Sequence, residues 1–225
     1  MSCKSLLIKF GMFSAILAIL VLASGTAAGT THKVLYQFKG GADGSTPKGP
    51  LVLDAAGNLY GTTARGGTSP NCNAYSKPPI GCGTIFKLSP NADGTWTKST
   101  LYNFTGGRNW GGSDGANPNS GLVFDAAGNL YGTTVSGGAN SGSNVFCGNC
   151  VGGTVFKLKL NADGSWTETP IHSFGQGSDG YGAYGGVVFD KAGNLYGTTY
   201  LGGTNSGGVV YKLSPNTDET WTARP

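Results

Sequence analysis

Four kinds of side chain in this sequence could carry chemistry: cysteines, carboxylates, histidines and aromatics in irregular segments. Of five cysteines, Cys3 stands near the start and the rest form two close sets, Cys72 with Cys82 and Cys147 with Cys150. In an exported chain an even number favours disulfides. One bridge within each set would pin a long glycine-rich connection whose ordering is otherwise entropically costly. Cys147-Gly-Asn-Cys150 also has zinc-ligand spacing, and Cys72 and Cys82 could complete such a site from a neighbouring unit. Export and the lack of a second close pair favour the disulfides, so no metal and no cofactor is expected. A thioredoxin-like redox role would need a βαβ context that the sequence lacks.

The carboxylates recur in a pattern. Asp43-Gly44, Asp114-Gly115 and Asp179-Gly180 are three copies of one pair. Calcium takes about 6–8 oxygen ligands, so one aspartate per copy reads better as a turn former beside a glycine of free φ. Two facing carboxylates would suit glycoside cleavage, yet nothing singles out a pair. His32 stands alone, and His172 fills a slot held elsewhere by Tyr36 and Tyr102, which marks it as a packing residue. There is no nucleophile elbow, no His-Glu-x-x-His and no phosphate-binding loop. The aromatics are the better hint. Trp110, between Arg108-Asn109 and Gly111-Gly112, has no counterpart in the other copies. It reads either as a side chain folded onto its own unit or, with Arg108, Tyr75, Tyr181 and Tyr184, as a stacking platform for a sugar or peptide.

These residues hang on a repeat. Gly57-Asn58-Leu59-Tyr60-Gly61-Thr62-Thr63 returns unchanged at Gly128–Thr134 and Gly193–Thr199. Its preceding aspartates, Asp54, Asp125 and Asp190, are 71 and 65 positions apart. Downstream, Gly83-Thr84-Ile85-Phe86-Lys87-Leu88 returns as Gly153–Leu158 and Gly208–Leu213, and each copy runs through an Asn-x-Asp turn into Trp96, Trp166 or Trp221. Each unit thus holds four short β runs, two pairs of which are joined by tight hairpins. The units are expected over approximately 33–104, 105–174 and 175–225. Such a unit predicts an all-β, β-propeller-like array of three four-stranded repeats, although blades usually recur every ~40–50 residues. With strands running up and down, the tight turns share one end and the long connections the other. The long-connection end carries every mature cysteine together with Tyr75, Arg108, Trp110, Tyr181, Tyr184, Asp43, Asp114 and Asp179, and loops held on a rigid scaffold are where binding groups concentrate.

Composition agrees. Glycine accounts for 41 of 225 residues and charged residues for only 12%, while 38% are hydrophobic. That excludes a disordered coil and disfavours long helices. The first 28 residues read as a secretory leader: Lys4 and Lys9, then an uncharged run from Phe10 to Ala23, then Ser24-Gly25-Thr26-Ala27-Ala28. Fourteen uncharged residues fall short of the ~20 that span a bilayer, so cleavage after Ala27 or Ala28 is expected and no membrane span remains. Losing two lysines takes the net charge from +4 to +2; with no basic run, nucleic acid is not an expected partner.

The unit Leu-x-x-Asp-x-x-Gly-Asn-Leu-Tyr-Gly-Thr-Thr, followed by Gly-Thr-Val-Phe-Lys-Leu and an aromatic end before Asp-Gly, closely resembles the Gloeo/Verruco (GloVer) tandem-repeat family across residues 33–225. The resemblance implies an exported bacterial protein with a surface or extracellular location. It implies no catalytic residue. The third copy departs from the pattern, with Ala183 where Pro47 and Pro118 stand and a short connection without cysteine.

Three units are too few for a ring of about 4–8 blades. The third unit reaches Trp221 without an equivalent of Ile171–Phe174, whose counterpart is Val34–Phe38 at the other end. Two readings follow: a piece of a longer array, or a homodimer whose two chains complete one ring. The functional expectation is a non-enzymatic exported module that binds a glycan, peptide or cell-surface protein. A purely structural envelope or matrix repeat and a carbohydrate-active domain using loop carboxylates are the alternatives.

Overall fold

In a computed structural model, residues 32–72, 81–106, 113–140, 152–175 and 177–224 are described. Among the described residues, thirteen strands form three antiparallel sheets. The first holds β1 (Ser45–Pro47), β2 (Val52–Leu53), β3 (Leu59–Arg65), β4 (Thr84–Pro90) and β5 (Trp96–Asn103). The second holds β6 (Val123–Phe124), β7 (Leu130–Thr134), β8 (Thr154–Leu160) and β9 (Trp166–Ser173). The third holds β10 (Val188–Phe189), β11 (Leu195–Thr198), β12 (Val210–Pro215) and β13 (Trp221–Arg224). From β2 onward in the first sheet, and throughout the other two, neighbouring strands follow chain order, and we call the sheets blades 1, 2 and 3. The described residues contain no α-helix, so the all-β, propeller-like array of three repeats holds.

One feature differs from expectation. Blade 1 has a fifth strand, because β1 pairs with the far end of β3 (Ser45↔Arg65, Pro47↔Thr63). In the other blades this contact shrinks to single bridges, Ala116↔Ser136 and Tyr181↔Leu201. Three residues that include a proline, with Thr46 at φ 60°, offer no alternating pattern from which a strand could be read.

The repeated motif is a self-satisfying hairpin. Asp54 accepts from the Ala56 and Asn58 backbone N–H groups (2.9 and 2.8 Å), from Asn58 Nδ2 (2.7 Å) and from the Tyr60 hydroxyl (3.0 Å). Asp125 and Asp190 hold the same four donors. Gly57, Gly128 and Gly193 turn the chain at φ of 83°, 83° and 82°, which L side chains rarely adopt. The second hairpin works alike: Asp93 accepts from Thr95 N and Oγ1 while Asn91 Nδ2 reaches Thr95 and Thr97. Further along the motif, a Cβ on Gly132 would sit 2.6 Å from the Phe156 ring. Only glycine lets that ring lie across the strand.

Blades pack face to face. Tyr60 of blade 1 meets Phe124 and Trp166 of blade 2, edge-on at 5.2 and 6.5 Å between ring centres. Tyr131 meets Phe189 and Trp221 of blade 3 in the same way, at 5.0 and 5.9 Å. The Thr62 hydroxyl donates across the first seam to the Ser120 carbonyl and the Thr133 hydroxyl across the second to that of Gly185, both at 2.8 Å. These seams are the core, one around Tyr60, Ile85, Phe104 and Phe156, the other around Tyr131, Val155, Phe174 and Tyr211.

Candidate functional site

The aspartates of the three Asp-Gly pairs sit where each blade receives the end of the preceding strand. Tyr36 donates to Asp43 (2.8 Å) and Tyr102 to Asp114 (2.9 Å), while His172 Nε2 lies 3.0 Å from Asp179. Three side chains in one sequence slot thus hold three carboxylates in another. Each pair also brings an aromatic onto the blade: Phe38 packs on Phe86, Phe104 on Phe156 and Phe174 on Tyr211. The neighbouring glycine matters as much. A Cβ on Gly44, Gly115 or Gly180 would lie 2.7, 2.3 or 2.2 Å from the hydroxyl of Thr63, Thr134 or Thr199. Besides filling the tyrosine slot as a packing residue, His172 takes over its polar contact.

A third residue completes each junction, and sequence reasoning missed it. In blade 1, Lys98 Nζ reaches Asp43 Oδ1 at 3.1 Å and the Asp43 carbonyl at 2.6 Å. In blade 2 the same slot holds Glu168, whose Oε1 has no hydrogen-bond partner among the described residues. Burial, and then the charge of Asp114, push the Glu168 carboxyl up to about 8. Burial first, then Asp114 and Glu168, also raises the Tyr102 phenol. Asp114 is in turn bonded by Thr105 N and Oγ1 (2.7 and 2.9 Å). In blade 3 the slot is Ala223. The available signal was the mismatch of Lys, Glu and Ala at one repeat position.

Cys72 and Cys82 are joined as a disulfide with Cα atoms 5.0 Å apart, so these two sulfurs are not free to ligate zinc. The bridge is fully buried in the first seam, and Gly106 passes so close that a Cβ there would meet both sulfurs. Cys147, Cys150, Tyr75, Arg108 and Trp110 lie outside the described residues. Among the described residues no three His, Cys, Asp or Glu side chains cluster to hold a metal ion.

Tyr181 and Tyr184 flank the irregular start of blade 3. The Tyr184 ring is exposed and meets Tyr200 edge-on at 5.6 Å. Tyr200 fills a position held by the buried Ala64 and Val135 in the other blades. At the opposite end, a shallow groove of about 450 Å³ runs between the hairpins of blades 2 and 3, lined by Phe124, Asp125, Phe189 and Asp190. Both of its carboxylates are held by their own turns; Asn194 side-chain and backbone hydrogen bonds bring Asp190 down to about 2. No described helix is long and apolar enough to cross a membrane.

Comparison with known proteins places the chain. No curated protein matches it. Among solved structures, one described as a candidate gluconolactonase is similar at 21% identity, with a TM-score of 0.40 over 77% of this chain; the chain spans 46% of that structure's length. The model of the Gloeobacter/Verrucomicrobia repeat matches residues 21–150 and 73–224. With the three copies of Gly-Asn-Leu-Tyr-Gly-Thr-Thr closing three like hairpins, the chain belongs to the Gloeobacter/Verrucomicrobia repeat family.

Proposed function

We propose that the chain is an exported, non-enzymatic module that binds a glycan, a peptide or a partner protein at the cell surface through the end built by its long connections. The carrying observation is a contrast between the two ends. At the short-turn end, Asp54, Asp125 and Asp190 each accept four hydrogen bonds from their own hairpin. At the long-connection end, the exposed Tyr184 ring stands beside Tyr200, a type of surface that gives contact area at small entropy cost. Family membership, the leader-like first 28 residues and the Cys72–Cys82 bridge support an oxidising, extracellular setting.

Asp43, Asp114 and Asp179 are engaged by Tyr36, Tyr102 and His172, which favours binding over acid–base catalysis. The test is a glycan array and a peptide display screened with the full chain, then repeated with Trp110→Ala and Tyr184→Ala. A bound class weakened at least tenfold by either variant supports the reading. Silence on both screens, or binding that neither variant changes, overturns it in favour of a purely structural envelope repeat. Turnover of a polysaccharide panel that disappears in Asp114→Asn would instead make the chain an enzyme.

A further inference from the structure

The three junctions share a frame and fill one place in it differently. In each, a ring from the preceding strand lies edge-on to the residue that holds the aspartate. Phe38 is 5.3 Å from Tyr36, Phe104 is 5.2 Å from Tyr102 and Phe174 is 4.6 Å from His172, ring centre to ring centre. The place that varies belongs to the last strand of the blade. Lys98, Glu168 and Ala223 share it by register, paired with Leu88, Leu158 and Leu213.

Blade 1 shows what this place accepts. The Lys98 side chain is only 5% exposed, and a lysine is rarely so buried unless it is paired. Its ammonium donates to the Asp43 carbonyl at 2.6 Å and to Thr100 Oγ1 at 2.8 Å, and it pairs with Asp43 Oδ1 at 3.1 Å. The Phe38 ring centre lies 5.8 Å away, within the range at which a ring face attracts a cation. The seat therefore offers a carboxylate, a carbonyl and an aromatic to one ammonium, and its wall takes up the alkyl stem. In blade 2, Glu168 fills the place with a carboxyl of its own.

Blade 3 keeps the acceptors and omits the lysine. Asp179 stands where Asp43 does and Phe174 where Phe38 does, while the last strand stops at the methyl group of Ala223. Thr105, whose hydroxyl serves Asp114, has Gly175 as its counterpart, which has no side chain to offer. Asp179 sets both oxygens against one nitrogen, His172 Nε2, at 3.0 and 3.1 Å, and its side chain stays 26% exposed. A carboxylate so placed keeps lone pairs for a second donor. The path left by the absent stem suits a compact ammonium on a flexible four-carbon chain, which is lysine, and not the planar fork of arginine.

We propose that the junction into blade 3 is a seat for a lysine side chain of a partner peptide or protein, whose ammonium pairs with Asp179 as Lys98 pairs with Asp43. The seat rests on the reading of the long-connection end as the binding end, and it supplies the chemical class of the ligand there.

The probe is Nα-acetyl-lysine amide, titrated into the full chain while the ring protons of His172 are followed by nuclear magnetic resonance. Acetyl-norleucine amide, a stem without an ammonium, and glucosamine, an ammonium without a stem, are the controls. Saturable shifts with the lysine probe, at least tenfold weaker with either control, support the seat. Ala223→Lys supplies the ammonium from within the chain. It should abolish probe binding and raise the melting temperature by about 2–4 °C, and adding Asp179→Asn should remove that rise. Equal shifts with acetyl-norleucine amide overturn the proposal. So does probe binding that Ala223→Lys leaves unchanged, an Ala223→Lys chain no more stable than wild type, or a rise that survives Asp179→Asn. Peptide or glycan binding that Tyr184→Ala weakens and Asp179→Asn leaves untouched overturns the seat alone, and the binding reading of that end stands.

Discussion

The junctions into blades 1 and 2 share a backbone and differ in one side chain. Both hold an aspartate between a tyrosine hydroxyl and a glycine of positive φ, with an aromatic from the preceding strand laid over the blade. Into this frame blade 1 places Lys98, which pairs with Asp43, and blade 2 places Glu168, which faces a second carboxylate and is pushed towards its neutral form. The difference separates what fixes the geometry from what tunes it. Tyrosine, aspartate and glycine fix it, and the third residue sets how the junction responds to pH.

Among losses of stability, that of the glycine should be the largest. Gly115→Ala forces a Cβ to within 2.3 Å of Thr134 Oγ1 and 2.8 Å of Thr154 Oγ1, at φ 91°. Thr134 and Thr154 bond each other at 2.9 Å and are fully buried, so neither can give way cheaply. The control is Gly128→Ala, with nearly the same φ (83°) and nothing within 4 Å. The control should lose about 1–2 kcal/mol for the left-handed backbone alone. Gly115→Ala should lose roughly 3 kcal/mol or more, since overpacking typically adds about 1–3 kcal/mol. Urea unfolding of both variants measures the gap. Equal losses would mean the frame is set by φ alone and the close approach is incidental.

The next effect distinguishes the two junctions by pH. The folded state holds the Glu168 carboxyl at about 8, above its ordinary 4.5, because of burial and Asp114. A raised carboxyl value means the folded chain binds a proton more tightly than the unfolded one. Its contribution is complete below pH 4.5 and is lost as pH rises towards 8. Glu168→Gln keeps the shape without the titration. The variant should melt near wild type at pH 5 and on the order of ten degrees above it at pH 9, at about 2–4 °C per kcal/mol for a chain of this size. Moving the carboxyl from 4.5 to about 8 corresponds to about 5 kcal/mol. Calorimetry at the two values decides it. Melting curves that stay parallel across the range would show that Glu168 remains ionised beside Asp114, and the contrast with Lys98 would be one of shape only.

Much of the frame was legible before any coordinates. The hairpins could be read because every residue in Asp-x-x-Gly-Asn-Leu-Tyr acts within its own turn, so spacing alone implies the contact. The Cys72–Cys82 bridge was legible for the same reason, as a pair within one connection. The junctions were harder. Asp43 looked like a turn former because its partners, Tyr36 and Lys98, lie in two separate segments of the chain and only the fold unites them. Strand β1 was invisible because three residues cannot show a period. Tyr200 was overlooked because its position is small and buried in the other two copies, as Ala64 and Val135, and only the structure shows it exposed.

The smallest effect tests blade 1. Lys98 Nζ also bonds Thr100 Oγ1 at 2.8 Å and sits 5.8 Å from the centre of the Phe38 ring. In Lys98→Met the stem and its packing remain, so only charge and hydrogen bonds are removed. Burial acts to raise the Asp43 carboxyl, but Lys39 N–H, Tyr36 and Lys98 together hold it below its ordinary 3.8. A lowered value means the stabilisation is present above 3.8 and fades as pH falls through the folded value. Tyr36 and Lys39 N still serve Asp43 in the variant. The cost at pH 7 should therefore be only about 1 kcal/mol, near the upper end for pairs in partial contact with water, and should shrink towards zero near pH 3. A deficit that persists undiminished at low pH would locate the role of Lys98 in its packing on Phe38, and the two junctions would then differ in shape before they differ in charge.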